Sequence, residues 1–395
     1  MLKIADRSIP ELVKALARHG VEATYLVPTE TGLKKSILDA HALVRDYLSA
    51  KGLHDYDAQA KGQDAKRKLP ATIFTPAGPV ESYASLYRPE TKGGDPRIWV
   101  GRLGEHAAPG NVVAVVAVGD RLVVANLSDR ALVSEDYELS PALAGAIAAG
   151  KVVNPHAADL LGLIEAISAR GFVDGMRPGP TNVGFTLETL LGIQANARRA
   201  PDYHGIELKA SRSGPTIRGN RITLFSKTPD WKASACKNGA EILRRHGYAK
   251  DGRLQLYCSL ANAPNSLGHY LRVDGDDDRL HALHQAGDRP TAEEVVNWDL
   301  GELRAALSAK HRETFWVKAA TRKAGATEAF HYREVHHTQA PLVLNLGEML
   351  DAGRVELDYT LSMLGKRARD HGYLFKIFPR DMVALFPPPT IHRFA

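Results

Sequence analysis

The sequence predicts an α/β protein of α+β character in two parts, and three observations carry that expectation. The chain has 395 residues, more than one ordinary hydrophobic core organises. Helical patterning gives way at residue 68 to a series of short β-rich runs. A Pro/Gly-rich segment, Arg177-Pro178-Gly179-Pro180, then precedes a second helix-and-strand unit. The expected organisation is an α+β, β-rich domain over 1–150, a helical linker over 151–176 and a second domain over 177–395.

Taken in order, residues 8–20 read as a helix with Ser8 at the N-cap, Pro10 early and Gly20 closing it. A second helix is expected over 36–50. Strands are expected at 71–74, 82–87, 97–100, 112–118 and 121–127, the last two joined by a Gly119-Asp120 hairpin turn. Helix returns near 140–149 and over 155–170. In the second part 185–193 has helical spacing, 205–210 is extended, and 222–226, 254–259 and 315–318 read as strands. Tyr373 and Phe375, at alternate positions, are expected in the core. The acidic run 274–279 lacks the closing glutamate of an EF-hand loop and reads as a solvated turn.

A content of 44% hydrophobic and 24% charged residues is that of a soluble globular protein. No apolar run reaches the roughly 18 residues of a membrane span, and the opening Met1-Leu2-Lys3-Ile4-Ala5-Asp6-Arg7 has no signal-peptide core. A cytoplasmic location is expected. Cys236 and Cys258 are too few for a Cys₄ or Cys₂His₂ zinc site and read as reduced, buried thiols. His331, His336 and His337 are close in sequence, but their spacing fits an amphipathic strand and no zinc is expected there. The net charge is +6, and the first 150 residues hold 18 Lys+Arg against 18 Asp+Glu. The whole excess therefore lies in 151–395, which suits a polyanionic partner.

The chemistry is concentrated between 186 and 209. Alternate side chains of a strand share a face, so Glu207 and Lys209 point together while Ile206 and Leu208 point away. Asp202 lies across the turn that His204-Gly205 permits and can aim at the same spot. Phosphodiester hydrolysis calls for such a set. Asp202 and Glu207 offer hard oxygen ligands for Mg²⁺, Lys209 can orient the attacking water and stabilise developing charge, and Glu188 on the preceding helix can reach a second metal or its water. On residue pattern alone, a surface strand of alternating charge remains the competing reading.

The wider segment weighs against it. Gly179-Pro-Thr-Asn-Val-Gly-Phe-Thr-Leu-Glu-Thr-Leu-Leu-Gly-Ile193 and Pro201-Asp-Tyr-His-Gly-Ile-Glu-Leu-Lys-Ala-Ser-Arg212 resemble the MvaI/BcnI family of restriction endonucleases, relatives of the MutH mismatch-repair nickase within the PD-(D/E)XK nuclease superfamily. The resemblance continues through Thr223-Leu-Phe-Ser-Lys-Thr-Pro229 and Arg369-Asp-His-Gly-Tyr-Leu-Phe-Lys-Ile377, roughly the last 220 residues. It implies a restriction-endonuclease-like core in which Asp202, Glu207 and Lys209 fill the Asp-X₄-Glu-X-Lys positions and Glu188 the helical glutamate. It further implies Mg²⁺-dependent, type II cleavage of double-stranded DNA to 5′-phosphate and 3′-hydroxyl ends. A monomer is expected, with a companion DNA methyltransferase acting on the same site without being a stable subunit.

Sequence-specific cutting also needs base readers. The resemblance implies Asp358, Arg369 and His371 for that role. The first domain is similar in style to the DNA-binding pseudobarrel that precedes the nuclease in EcoRII-type enzymes, and Arg88, Lys92 and Arg97 around Gly93-Gly94 are its candidate DNA contacts. Two rival functions are a MutH-like enzyme that nicks one strand and a DNA-binding regulator with a vestigial nuclease fold. The intact acidic pair and lysine argue against the second, because a cluster of like charges is costly to keep without a use.

Overall fold

Contacts thin out between Val153 and Asn154, so that Met1–Val153 and Asn154–Ala395 each pack as a unit. The computed structural model describes residues 3–4, 7–151, 154–193, 200–214, 221–275, 277–287, 291–324, 327–365 and 367–394. No helix among them is long and apolar enough to cross a membrane.

In the first unit Ile9–Ala17 is helical behind Ser8, as its amphipathic spacing predicts. The expected helix over 36–50 is instead three pieces. Helix Glu30–Lys35 ends at Ser36, which takes a left-handed φ of 55°, strand Leu38–Asp39 follows, and only Ala42–Ala50 continues as helix. The β-rich centre forms a seven-stranded sheet in the order Thr24–Leu26, Val113–Val118, Arg121–Asn126, Arg67–Thr75, Gly78–Tyr87, Arg97–Val100 and Leu38–Asp39. Arg67–Thr75 runs parallel to Arg121–Asn126, and the other neighbours are antiparallel. Gly119 supplies the expected turn with φ 61°. Leu122 and Val124 alternate into a core with Ile73, Leu86 and Tyr47.

The second unit begins with helix Pro155–Ser168, capped by Asn154. The stretch expected to be a linker is thus partly core: Leu160, Ile164 and Ile167 are buried with Val183, Leu187, Ile206, Leu208, Phe315 and Phe330. Each such side chain contributes about 1.5–3 kcal/mol of burial. They cover one face of a five-stranded sheet ordered Val173–Asp174, Thr327–Gln339, Glu313–Ala324 and Glu207–Arg212, with Thr390–Arg393 beside Thr327–Gln339. Glu207–Arg212 pairs parallel with Glu313–Ala324.

A six-stranded sheet follows the order Ile222–Ser226, Leu374–Ile377, Val355–Leu364, Arg253–Leu260 and Tyr248–Lys250, with Arg367–Asp370 on Val355–Leu364. Tyr373 and Phe375 are fully buried against it. A three-stranded sheet, His269–Asp274, Arg279–His284 and Glu293–Asp299, completes the unit, and the acidic run is the hairpin turn between its first two strands. Asp276 lies outside the described residues. Helix Leu300–His311 packs on strand Ile222–Ser226 and leads directly into Glu313–Ala324.

Candidate active site

Strand alternation sends Ile206 and Leu208 into the helix-covered core and leaves Glu207 and Lys209 on the opposite face. Just before the strand, a bridge between Tyr203 and Ile206 closes a tight reversal in which His204 and Gly205 take φ values of 43° and 89°. The reversal folds Asp202 back on the strand, where its Oδ2 accepts a hydrogen bond from the Leu208 N–H at 3.0 Å. Helix Asn182–Leu190 packs against the same strand. Leu187 faces the core, and Glu188, the next residue, lines the cleft beside Lys209.

The Glu207 carboxylate has no exposed surface and lies between two cations. Lys209 Nζ is 2.5 Å from Oε1, and Lys310 Nζ is 2.6 Å from Oε2. Burial nevertheless holds the Glu207 carboxyl above the usual carboxylate range, with the Asp202 charge adding to the rise against the pull of Lys209. Glu188 is raised for the same two reasons, burial first and then Asp202. Three carboxylates thus crowd a partly dehydrated spot where negative charge is disfavoured. The oxygens of Asp202 and Glu207 are hard donors of the kind Mg²⁺ takes, and a divalent cation would relieve that crowding.

Lys310 is in the last turn of helix Leu300–His311, whose N-terminus Asp299 caps. The next residue, His311, is fully buried. Its Nε2 lies 2.8 Å from the Leu224 carbonyl oxygen and its Nδ1 lies 3.0 Å from Thr314 Oγ1, so the proton belongs on Nε2 and the Thr314 hydroxyl donates to Nδ1. Burial, with the charges of Lys209 and Lys310, pushes this imidazole down to about 3. A neutral ring therefore locks the helix end, and Lys310 with it, to both sheets.

A cleft of about 2070 Å³ opens over Lys209 and Glu188, with Arg177, Arg212, Arg221, Lys318, Arg333 and Arg393 in its walls. Arg212 is held by a two-pronged pair to Glu328 at 2.7 and 2.6 Å. The Pro/Gly-rich segment 177–180 forms a lip of this cleft. The lip is set by buried Asn182, whose Oδ1 accepts from the Arg177 N–H at 3.2 Å and the Thr186 hydroxyl at 3.0 Å. A side chain at Gly175 would run into Asn182 and the Glu328 carbonyl.

A family model described as the MvaI/BcnI restriction endonuclease family matches residues 161–386. The chain belongs to the MvaI/BcnI restriction endonuclease family. Its second unit has the restriction-endonuclease-like fold. The structure titled "Restriction endonuclease MvaI-cognate DNA substrate complex" aligns with 62% of this chain and 100% of its own at 19% identity and a TM-score of 0.53. "Restriction endonuclease MvaI in the absence of DNA" aligns over the same shares at 19% identity and a TM-score of 0.38. No curated protein matches the sequence significantly.

In this MvaI/BcnI enzyme, then, Glu188, Asp202, Glu207 and Lys209 meet at one spot. The other sequence candidates are dispersed. Asp358 is buried with its oxygens taken by Ser259 at 2.7 Å, Arg221 at 2.8 Å and Lys376 at 2.8 Å. As placed, it fixes Arg221 in the cleft wall and offers nothing to a base. Arg369 and His371 are exposed around the short strand Arg367–Asp370. In the first unit Arg88 donates to the carbonyls of Gly94 and Tyr56 at 2.9 and 3.2 Å, and Arg97 pairs with Asp39 and Asp95. Both arginines are engaged inside their own unit, and the Lys92 side chain lies outside the described residues. His331, His336 and His337 each have a separate partner, in Ser168, Glu334 and Glu313. Sequence reasoning missed Lys310 altogether, and the cationic cleft lip at Arg177 was concealed in a segment whose composition is that of a linker.

Proposed function

We propose that this family member is a type II restriction endonuclease that hydrolyses phosphodiester bonds of double-stranded DNA at a short specific sequence, with Mg²⁺ as its cofactor. The observation that carries the reading is the convergence of Glu188, Asp202, Glu207 and Lys209, two of which, Glu188 and Lys209, line a cleft walled by arginine and lysine. The MvaI complex contains its cognate DNA, which supports a DNA substrate here. Held by Asp202 and Glu207, Mg²⁺ would neutralise the scissile phosphate and make a bound water more acidic.

The chain's own groups do the rest. Cationic walls hold the flanking phosphates. Lys209 Nζ leaves Glu207 Oε1 to orient the attacking water and meet the charge that builds on the phosphate oxygens. Lys310 stays on Oε2 and keeps the Glu207 carboxylate aimed. Water oxygen bonds to phosphorus, the bond to the 3′-oxygen breaks, and that oxygen takes up a proton, leaving 5′-phosphate and 3′-hydroxyl ends.

Arg369 and His371, both exposed, are our candidates for base contact, and the first unit is assigned to DNA recognition or effector binding with Lys92 as its remaining candidate. A cytoplasmic monomer, with a companion DNA methyltransferase that acts on the same site without being a stable subunit, completes the reading. The test is incubation of plasmid with the pure protein and Mg²⁺, followed by sequencing of the ends. Cuts at one short sequence in both strands are expected. DNA that is bound yet stays intact with every divalent metal refutes the assignment.

A further inference from the structure

We infer that His246, His269 and His284 form a structural Zn²⁺ site, separate from the nuclease centre. His269 opens strand His269–Asp274 and His284 closes strand Arg279–His284. The two are paired directly across the antiparallel ladder, so their side chains stand on one face of the sheet. Glu293 is the partner of His284 on the next strand, extending the row. His246 ends helix Gly239–His246 and completes the group from above, its ring centroid 5.2 Å from that of His269 and 4.8 Å from that of His284.

Ligand-capable nitrogens of the three rings lie within 4.8 Å of one another. Both nitrogens of His246 and both of His269 are buried with no hydrogen-bond partner among the described residues. Native interiors pair such groups, and a neutral imidazole always has one donor and one acceptor to satisfy. Packing of the rings on each other leaves that need unmet, whereas a metal takes one lone pair from each. Burial keeps His246 and His269 in the neutral, ligating form, pushing them down to about 4 and about 3.

Imidazole is a preferred Zn²⁺ ligand, bound at about 2.0–2.1 Å in a tetrahedron. The ligand nitrogens, within 4.8 Å of one another, would draw together to the roughly 3.3–3.4 Å that such bonds set between them. Glu293 Oε1, 3.4 Å from His284 Nδ1, is placed to accept the proton of that ring and to offset the cation's charge, leaving Nε2 for the metal. Left-handed Gly268, where a Cβ would strike the Gln285 carbonyl, lets the open end of the hairpin close tightly beside the group. Bound there, the ion ties the helix to the three-stranded sheet.

The test uses the untagged full-length chain, stripped with a chelator, reloaded with Zn²⁺ alone and dialysed. One tightly held equivalent is expected in the wild type and equally in an Asp202→Asn/Glu207→Gln double variant, but not in His246→Gln/His284→Gln. Glu293→Gln is expected to bind about 10–100-fold more weakly. Should the histidine variant fail to fold, X-ray absorption of the loaded wild type decides: a four-coordinate shell with three imidazoles is expected. Retention of no Zn²⁺, its loss in the carboxylate variant alone, or an all-oxygen shell overturns the proposal.

Discussion

Glu207 is a buried acid held between two ammonium groups, and the two lysines have different tasks. Lys209 lines the cleft and Lys310 does not. Asp202→Ala, Glu207→Ala and Lys209→Ala are each expected to slow cleavage at least about 100-fold while specific DNA binding in Ca²⁺ persists. Lys310→Met should slow cleavage with the same binding, because it acts through the aim of Glu207; single-turnover rates beside binding titrations separate these cases. Glu188 gives a prediction of opposite sign for stability. Its folded-state carboxyl is raised by burial and by Asp202, so its contribution is favourable below about pH 4.3, the unfolded value, and is lost as pH rises through the higher folded value. Glu188→Gln should therefore melt above wild type at pH 7–8 without metal, the gap closing as the pH falls towards 4, and should cut DNA more slowly. Equal melting temperatures across that range would show that the carboxylate is not strained.

The elements carry these residues by two routes of unequal sequence distance. Asp202, Glu207 and Lys209 were legible from sequence because one turn and the two-residue period of a strand suffice to gather them. Lys310 was not, since only the parallel pairing of Glu207–Arg212 with Glu313–Ala324 brings the preceding helix end to the site. Local rules also miss a residue such as Ser36, whose left-handed turn splits a helical pattern, and they cannot foretell that Asp358 is enclosed by Arg221, Ser259 and Lys376. The helix Leu300–His311 can be tested through its last residue. His311→Phe keeps the ring but leaves the Leu224 carbonyl and the Thr314 hydroxyl without partners, at about 1–3 kcal/mol each. Wild-type His311, held at about 3, contributes stability that is complete above about pH 6.5 and is lost as pH falls towards 3, at up to about 1.4 kcal/mol per pH unit. Urea midpoints at pH 7 and pH 5 should show a steeper decline for wild type than for His311→Phe, and parallel declines would remove His311 from the account.

Across the whole molecule the boundary lies before helix Pro155–Ser168. A chain beginning at Asn154 should fold and cut DNA, with altered specificity or activation if the first unit reads DNA. One beginning at Arg170 lacks Leu160, Ile164 and Ile167 beneath the sheet that bears Glu207, each about 1.5–3 kcal/mol of burial out of a total stability of about 5–15 kcal/mol. Circular dichroism of both truncations should find the shorter one unfolded, and a well-folded, active shorter chain would detach that helix from the nuclease unit. The same parallel pairing has a consequence in time. During synthesis Lys209 leaves the ribosome about 100 residues ahead of Lys310 and of the strand that must lie beside it, an interval on the order of 5–20 s. A nascent chain throughout that interval possesses the acidic motif but lacks both Lys310 and the strand that lies beside Lys209, so the proposed nuclease centre is completed only late in synthesis.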